Sequence, residues 1–317
     1  MRILITGGTG YLGGSLANYE DLIKNNEIII TSRLAVVKEK KHPNISYTQV
    51  DWDDNLSLKN ICSNVDLIIH AAGMNSADCL KNSRDALYFN GCVTAALIQN
   101  AIKSGVQKFI YLSTAHVYNS PLVGKIDENT CPRNLHPYAT SHRAGEDVVL
   151  AANKQNEING VVLRLSNVYG KPVNSATDCW KLVINDLCRQ AATSKKMTLM
   201  TSGMSQRDFI TLTDFCRAIT HIASVEKTSE QSSIYNIGSS KSLTLLQIAQ
   251  KIAERCNILF GYTPKIFTSP IRIGEVIEEL LYSNEKFLNT GFILKNNQDD
   301  EIDKLLIFCS EEKNINK

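Results

Sequence analysis

The sequence predicts an α/β fold, with a doubly wound parallel sheet and a smaller C-terminal lobe. Short apolar runs alternate with longer helical runs over the first half of the 317 residues. Such alternation is typical of parallel sheets with right-handed crossovers. Several runs are apolar at nearly every position, as expected of strands that are buried on both faces. A glycine-rich turn directly follows the first run, at an edge where ligands of such sheets bind.

Each element is predicted from its own local pattern of apolar and polar residues. The predicted strands are Ile3–Thr6, Glu27–Thr31, Ser46–Val50, Asp66–Ala72, Lys108–Ser113 and Val161–Ser166. The predicted helices of the first half are Tyr11–Lys24, Arg84–Ser104 and Tyr138–Asn156. Beyond Gly170 the rhythm weakens, and a further strand and helix are predicted around "RDFITLTDFCRAITHIA".

Composition excludes several classes of protein. The 34 basic and 32 acidic side chains leave a net charge of +2, which provides no electrostatic basis for binding nucleic acid or an anionic membrane. No apolar run approaches the ~20 residues of a membrane span, and no signal peptide is recognised. The nine cysteines are scattered and form no Cys-x-x-Cys pair, which favours reduced thiols in the cytoplasm over a metal site.

The glycines of "ILITGGTGYLGGSL" predict a site for a dinucleotide. Gly7 permits a tight turn after the strand, Gly10 lets backbone N–H groups approach a pyrophosphate, and Gly13 lets helix and strand pack closely. The helix N-terminus adds free N–H groups and a favourable dipole for an anion. This is the pattern of a Rossmann-type fold. The other residues of the turn expected to contact the cofactor are Thr9, Tyr11 and Leu12.

The domain organisation follows from these assignments. Residues 1–170 are predicted to form the dinucleotide-binding domain, and the strand and helix within 205–240 return to it. Residues 171–204 and 241–317 are predicted to form a smaller substrate-binding lobe.

The end of the second strand bears on the choice of cofactor. An acidic residue there is typical of NAD binding, because it bonds the ribose 2′-OH. This chain has Ser32 and Arg33 instead, and an arginine pairs well with a 2′-phosphate. NADP is therefore favoured, NAD remains possible, and the alternative is that Arg33 is a solvated loop cation. After the third strand, Asp51 and Trp52 are expected to contact the cofactor, and Asp51 either meets the adenine amino group or caps the turn.

Three further stretches resemble a known family. They are "HAAG" (His70–Gly73), "YLSTAHVY" (Tyr111–Tyr118) and "PYATSHRAGED" (Pro137–Asp147). With the glycine turn they resemble the extended short-chain dehydrogenase/reductase family, also called the NAD-dependent epimerase/dehydratase family, of the type that modifies sugar nucleotides. The resemblance covers about residues 1–250. Its further matches are Asn90, Glu146, "LRLSNVYG", "QRDFITLTD" and "YNIGSSKSLTLLQIA".

The resemblance implies roles for the matching residues. Tyr138 would be the general acid/base at a sugar hydroxyl or ketone, and Thr114 would hydrogen-bond the same oxygen. Asn90 would support the site from the helix behind, and Asn167 and Arg207 would bind the nucleotide sugar. The residues expected to line the cofactor cleft after the fourth strand are Ala71, Ala72 and Gly73.

Position 142 departs from the family's pattern. Residues i and i+4 share a helix face, so a cation at 142 would lower the pKa of the Tyr138 phenol. The family has lysine there, and this chain has His142. Three alternatives are open. His142 binds ribose and tunes Tyr138 less strongly, or His116 supplies the cation, or catalysis is impaired and the chain is a binding, regulatory or structural subunit.

The residues after Thr114 bear on the reaction. Relatives that dehydrate NDP-hexoses have an Asp-Glu pair there, whereas this chain has Ala115 and His116. We therefore expect an oxidoreductase or epimerase rather than a 4,6-dehydratase, with a reductase slightly favoured because of Arg33. His116 either contacts the substrate or faces solvent. The resemblance also implies a homodimer, through the helices Arg84–Ser104 and Tyr138–Asn156.

Overall fold

The computed structural model describes residues 1–33, 42–226, 233–271 and 278–315. The chain divides into two compact units. The first unit comprises Met1–Ser120, Glu128–Leu165 and Ala218–Asn236. The second unit comprises Pro121–Asp127, Ser166–Arg217 and Ile237–Lys317.

The elements are numbered along the chain. The strands are β1 (Arg2–Thr6), β2 (Glu27–Ser32), β3 (Ile45–Gln49), β4 (Leu67–His70), β5 (Lys108–Thr114), β6 (Gly124–Ile126), β7 (Asn159–Leu165), β8 (Asn167–Tyr169), β9 (Lys196–Thr198), β10 (Gln206–Thr211), β11 (Ile234–Ile237), β12 (Ser242–Thr244), β13 (Lys265–Phe267) and β14 (Leu280–Tyr282). The helices are α1 (Tyr11–Leu16), α2 (Glu20–Ile23), α3 (Asn55–Cys62), α4 (Ser76–Lys81), α5 (Ser83–Leu87), α6 (Thr94–Lys103), α7 (Pro137–Lys154), α8 (Val183–Ser194), α9 (Leu212–Ser224), α10 (Leu245–Phe260), α11 (Glu285–Leu288) and α12 (Gln298–Ile315).

A seven-stranded sheet in the order β11-β7-β5-β4-β1-β2-β3 organises the first unit. The pairs from β7 through to β3 are parallel. The strand order reverses between β1 and β4, so this point is the topological switch at which such sheets bind ligands. The predicted fold class, a Rossmann-type doubly wound α/β sheet, is confirmed.

The apolar strands form the centre of this sheet because both of its faces are covered. In β1, Ile3, Leu4 and Ile5 are fully buried, and all seven residues of β5 are buried. One face packs on α3, α6 and α7 through a cluster that includes Phe109 and Leu97. This burial holds the C-terminal ends of the strands in fixed positions, where the site is built.

Two predicted helices differ from those observed. The predicted helix Tyr11–Lys24 is wrong as a single element, because α1 ends at Leu16 and the chain turns before α2. Asn18 Nδ2 donates to the Gly14 carbonyl at 2.8 Å, and Tyr19 is extended at φ −83° and ψ 114°. The side-chain bond of Asn18 replaces a backbone bond of the helix, which ends it. The predicted helix Arg84–Ser104 is interrupted by a π-helical stretch at Tyr88–Val93.

The fourth strand is shorter than predicted. It ends at His70 rather than at Ala72. The N–H groups of Ala71 and Ala72 both donate to Thr6 Oγ1, at 3.1 Å each. Because these amides bond a side chain of β1, they leave the strand ladder and follow the edge of the glycine turn.

The second unit contains smaller sheets and three longer helices. Its sheets have the orders β12-β10-β8, β13-β9 and β14-β6. Helices α8, α10 and α12 enclose an apolar cluster that includes Tyr169 and Phe209. Helix α10 begins with a capping box between Thr244 and Gln247 and ends at Gly261, whose φ is +71°. Among the described residues, the helices are all too short or too polar to cross a membrane.

Candidate active site

The glycine turn after β1 has the close contacts that its sequence predicts. Gly7 has φ +65°, and a Cβ built there would lie 2.8 Å from the backbone of Ala71. A Cβ on Gly13 would lie 2.4 Å from the Gly7 carbonyl oxygen. The Gly10 N–H donates to the same oxygen at 2.9 Å. Larger residues at Gly7 or Gly13 would therefore push α1 away from β1 and open the turn.

A cavity of about 740 Å³ lies in the first unit, beyond the C-terminal ends of β1, β2, β3 and β4. It is lined by Gly7, Thr9, Gly10, Thr31, Ser32, Arg33, Val50, Trp52, Asp53, Ala71, Ala72, Gly73, Met74, Asn75, Asp78, Asp85, Tyr88 and Phe89. Its volume suits a ligand of cofactor size. The turn, the switch point and the cavity together fit a dinucleotide, with the pyrophosphate at the start of α1.

Several predicted cofactor residues lie outside this lining. Tyr11, Leu12 and Gly13 are not among the lining residues, and Gly13 acts through the packing of α1. Asp51 is also absent from the lining, because its Oδ1 accepts the Asp53 N–H at 3.0 Å and so caps the turn.

The opposite wall brings the predicted residue Trp52 together with Asp53, Tyr88 and Phe89, which sequence reasoning did not select. Tyr88 donates to Asp53 Oδ1 at 2.8 Å, across the mouth of the cavity. The rings of Trp52 and Phe89 meet edge to face, with centroids 5.6 Å apart. Arg33 is exposed at the end of β2, on the side where the second strand of this fold meets the adenosine ribose.

Thr114 and Tyr138 meet at the end of β5. Thr114 is buried and is the last residue of that strand. Tyr138 occupies the first turn of α7, where His136 Nδ1 accepts the Tyr138 N–H at 3.1 Å and Pro137 begins the helix. Burial raises the pKa of the Tyr138 phenol above its ordinary value of 10.0, although a side-chain hydrogen bond with Thr114 opposes that rise.

His142 lies one turn further along α7 and is buried. Its ring meets the Tyr138 ring nearly at right angles, with centroids 4.6 Å apart. Burial lowers the pKa of His142 to about 4, so the imidazole is neutral near pH 7. His142 therefore supplies no positive charge to the phenol. This low pKa argues against the expectation that His142 tunes Tyr138 as a weaker cation, because the side chain is desolvated.

His116 is the middle residue of the short helix Ala115–Val117, which follows Thr114. Its N–H donates to Thr114 Oγ1 at 3.2 Å, and its carbonyl accepts from Asn134 Nδ2 at 2.7 Å. These bonds between the His116 main chain and two side chains hold the short helix against the end of β5. The role of the His116 side chain as a cation or substrate contact stays a prediction.

Asn90 supports the site from the π-helical stretch. It is buried, its Oδ1 accepts the Met74 N–H at 3.0 Å, and its Nδ2 donates to Ser141 Oγ at 3.0 Å. Asn90 thus joins a lining residue of the cavity to α7. It acts behind the wall rather than on its surface.

A buried ion pair fixes α7 against the strands. Arg164 Nε and Nη2 donate to Glu146 Oε1 and Oε2 at 3.0 and 2.7 Å, and Ser113 Oγ donates to Glu146 Oε1 at 2.5 Å. Ser113 precedes Thr114 in β5, and Glu146 lies two turns after Tyr138 in α7. This pair therefore sets the position of Thr114 relative to Tyr138.

The predicted substrate residues Asn167 and Arg207 belong to the second unit. Asn167 begins β8, and its Nδ2 donates to the Asp208 carbonyl at 2.8 Å. Arg207 is exposed on β10, next to Leu243 of β12. Their contact with a substrate stays a prediction.

Comparisons with known proteins agree with this geometry. The family model "NAD dependent epimerase/dehydratase family" matches residues 3–238. The chain is 27% identical over 266 residues to dTDP-D-glucose 4,6-dehydratase of Homo sapiens, covering 80% of this chain and 73% of that protein. It is 25% identical over 318 residues to UDP-glucose 4-epimerase 2 of Oryza sativa subsp. japonica, covering 90% of this chain and 77% of that protein.

A solved structure extends the likeness to nearly the whole chain. UDP-glucuronic acid 4-epimerase from Bacillus cereus, in complex with UDP-glucuronic acid and NAD, has a TM-score of 0.80 at 19% identity. The match covers 98% of this chain and 100% of that one, and at this identity it establishes a shared fold. With the family model spanning the glycine turn, Thr114, Tyr138 and β10, the chain belongs to the NAD-dependent epimerase/dehydratase family.

Proposed function

We propose that this protein binds a nicotinamide dinucleotide and transfers hydride reversibly at a carbon of a nucleotide-activated sugar. The observation that carries the proposal is the proximity of the Thr114 hydroxyl to the Tyr138 phenol, at the end of β5 beside the cavity. Tyr138 contacts His142, and His142 in turn lies against Gly73 of the cavity wall. The pair therefore stands where a substrate hydroxyl would meet the end of the bound cofactor.

The proposed roles follow from the chemistry of the two side chains. The nicotinamide ring, when bound, supplies the acceptor and donor of hydride. Tyr138 takes the proton of the sugar hydroxyl during oxidation and returns it during reduction. Thr114 donates a hydrogen bond to the same oxygen and so holds it close to the phenol. The ion pair of Glu146 and Arg164 fixes the position of Thr114 relative to Tyr138.

Epimerisation is the reaction that we favour. The relatives with informative names are epimerases and dehydratases, and they do not support the expected preference for a reductase. A 4,6-dehydratase needs carboxylates after Thr114, and Ala115 and His116 provide none. Oxidation and reduction at one sugar carbon need only the groups present here, because the proton returns to the oxygen from which it came.

The proposal is tested with a panel of UDP- and dTDP-sugars and catalytic NAD or NADP, followed by chromatography of the products. We expect one epimer pair to interconvert, and Tyr138→Phe to lower the rate by 10²–10⁴-fold, as for other general acid/base losses. Tyr118→Phe is the matched control, since it also removes a buried phenol hydroxyl but leaves Thr114 and Tyr138 intact. Equal rates for Tyr138→Phe and the parent would contradict the assignment.

The cofactor is proposed to be NADP, with NAD as the alternative. Arg33 lines the cavity at the end of β2, and no acidic residue accompanies it on that strand end. NADPH and NADH affinities are compared by fluorescence titration. We expect Arg33→Ala to weaken NADPH binding about tenfold and to leave NADH binding unchanged, because the guanidinium contacts only the 2′-phosphate. Equal affinities of the parent protein for NADPH and NADH would contradict the proposed contact between Arg33 and the 2′-phosphate. NAD would then be the proposed cofactor.

A second candidate function is favoured by the neutral state of His142. Without a cation beside it, the Tyr138 phenol keeps a high pKa, so turnover near pH 7 would be slow. The chain would then bind dinucleotide or nucleotide sugar as a regulatory or structural subunit. Binding of cofactor without turnover of any sugar in the panel, between pH 7 and pH 10, would establish this alternative.

The homodimer and the cytoplasmic location stay predictions.

A further inference from the structure

A chain of buried hydrogen bonds beneath the cavity has a defined direction. Thr6 Oγ1 accepts the N–H groups of Ala71 and Ala72, which occupy both of its lone pairs. Its single hydrogen therefore goes to His70 Nδ1, 2.7 Å away. The other nitrogen of His70 carries the proton and donates to Thr94 Oγ1 at 3.1 Å. The His70 ring is therefore neutral, and each of its two nitrogens forms a hydrogen bond.

The same assignment of donors and acceptors extends to Tyr111. Thr94 Oγ1 donates to the Asn90 carbonyl at 2.8 Å, so that oxygen already has a strong donor. The Tyr111 hydroxyl lies 3.5 Å from the same carbonyl and 3.1 Å from His142 Nδ1. The shorter contact is the better hydrogen bond. Because the Asn90 carbonyl already accepts from Thr94, it is the weaker acceptor for this hydroxyl. Donation to Nδ1 instead places the single proton of a neutral imidazole on Nε2.

The Nε2 edge of the His142 ring faces the cavity. A Cβ built on Gly73, which lines the cavity, would lie 3.6 Å from His142 Cε1 and 3.8 Å from Nε2. Within the part of the chain that the structure describes, Nε2 forms no hydrogen bond with protein. The phenol reaches Nδ1 only because α7 has Gly145, where a Cβ would lie 2.5 Å from the Tyr111 hydroxyl oxygen.

We propose that Tyr111 is a positioning residue that holds His142 in the Nε2–H form, so that His142 acts as an uncharged hydrogen-bond donor to the ribose of the bound cofactor. The inference rests on the proposed binding of a nicotinamide dinucleotide. A lysine at position 142 would donate a hydrogen bond and also carry a positive charge. His142 keeps the hydrogen bond and lacks the charge. Cofactor affinity is accordingly independent of the protonation of His142 between about pH 6 and pH 9, because the pKa of the ring is about 4.

The tautomer is read directly from the ring nitrogens. Protein labelled with ¹⁵N-histidine gives long-range ¹H–¹⁵N correlations at pH 7.5, and the signals of His142 are those missing from His142→Gln. We expect an unprotonated Nδ1 and a protonated Nε2 in the parent, and a mixture of tautomers in Tyr111→Phe. Tyr118→Phe is the control, because the Tyr118 hydroxyl of the parent donates to Asn236 and not to His142. This variant is expected to leave the His142 signals unchanged.

The binding arm of the experiment uses NADH and NADPH as probes. Tyr111→Phe is expected to weaken the better-bound cofactor about five- to tenfold, in line with loss of one oriented hydrogen bond. The same change in the His142→Gln background is expected to have no further effect, because Tyr111 acts through His142. An additive effect in the double variant would instead indicate a structural role.

The outcomes separate this inference from the proposed function. A protonated Nδ1 in the parent, or signals and affinities unchanged by Tyr111→Phe, would overturn the role of Tyr111. Lack of cofactor binding by the parent would overturn the role of His142 as a ribose donor. Lack of turnover with the expected tautomer and affinities would leave the inference intact and reject only the enzymatic proposal.

Discussion

A lysine and a histidine at position 142 share the ability to donate a hydrogen bond and differ in charge. The neutral ring of His142 leaves the Tyr138 phenol without the stabilisation that an ammonium group would provide to phenolate. A phenol whose pKa is raised by burial is mostly protonated near pH 7, whereas oxidation needs the phenolate as base. The parent enzyme is therefore expected to work best at alkaline pH.

This expectation makes His142→Lys a sharp test. The new ammonium group lies one turn from the phenol and is expected to lower its pKa by one to three units, as opposite charges at this range do. The rising limb of the pH–rate profile moves to lower pH by the same amount, and the rate at pH 7.5 increases about tenfold or more. His142→Gln is the neutral control and keeps the alkaline limb. Identical profiles for the three proteins would show that position 142 does not govern Tyr138.

Among the elements, α7, β5 and β7 depend on one another through the buried ion pair of Glu146 and Arg164. Arg164 also stacks over the Tyr118 ring, with its guanidinium carbon 4.7 Å from the ring centroid. Both charged side chains are at most 5% exposed. A buried carboxylate that loses its partner is costly, because neither water nor another cation replaces the bond.

Arg164→Met is therefore expected to lower the free energy of unfolding by about 3–5 kcal/mol. The double variant Arg164→Met with Glu146→Met removes both charges and is expected to recover much of that loss. Urea unfolding followed by circular dichroism measures both values. If the double variant is as unstable as the single one, packing of the arginine stem, rather than the unpaired charge, governs the loss.

For the molecule as a whole, two buried neutral histidines make stability depend on pH. The pKa values of His70 and His142 are lowered by burial from 6.5 to about 3 and about 4. The unfolded chain therefore binds more protons than the folded chain between those values and pH 6.5. The contribution of these two neutral rings to the free energy of unfolding is fully present above pH 6.5, and it decreases as the pH falls towards 4.

Between pH 7 and pH 5 the two rings together are expected to lower the free energy of unfolding by about 3–4 kcal/mol. The His142→Gln variant is expected to lose about half of this dependence, because only His70 then remains. Urea unfolding at the two pH values, with parent and variant compared, measures the difference. An unchanged pH dependence in the variant would mean that His142 is not held neutral by the fold.

Local sequence determined the elements and their chemistry. Six of the seven described strands of the large sheet were predicted to within a few residues, because apolar runs buried on both faces have a strong pattern. The contacts of Gly7 and Gly13 followed from a motif in which neighbours in sequence are neighbours in space. Thr114 and Tyr138 were paired through the family resemblance, and the structure brings them together where a strand end and the start of the following helix share one edge of the sheet.

Tertiary structure alone decided the state of His142. Its low pKa arises from burial by segments distant in sequence, and its tautomer depends on Tyr111, which is 31 positions away. The capping role of Asp51 and the break at Asn18 likewise rest on particular hydrogen bonds that several local conformations would have allowed. Sequence specifies which groups are present, whereas desolvation and hydrogen-bond direction depend on everything packed around them. For that reason the altered residue of the active-site helix was recognised from the sequence, but its charge was not.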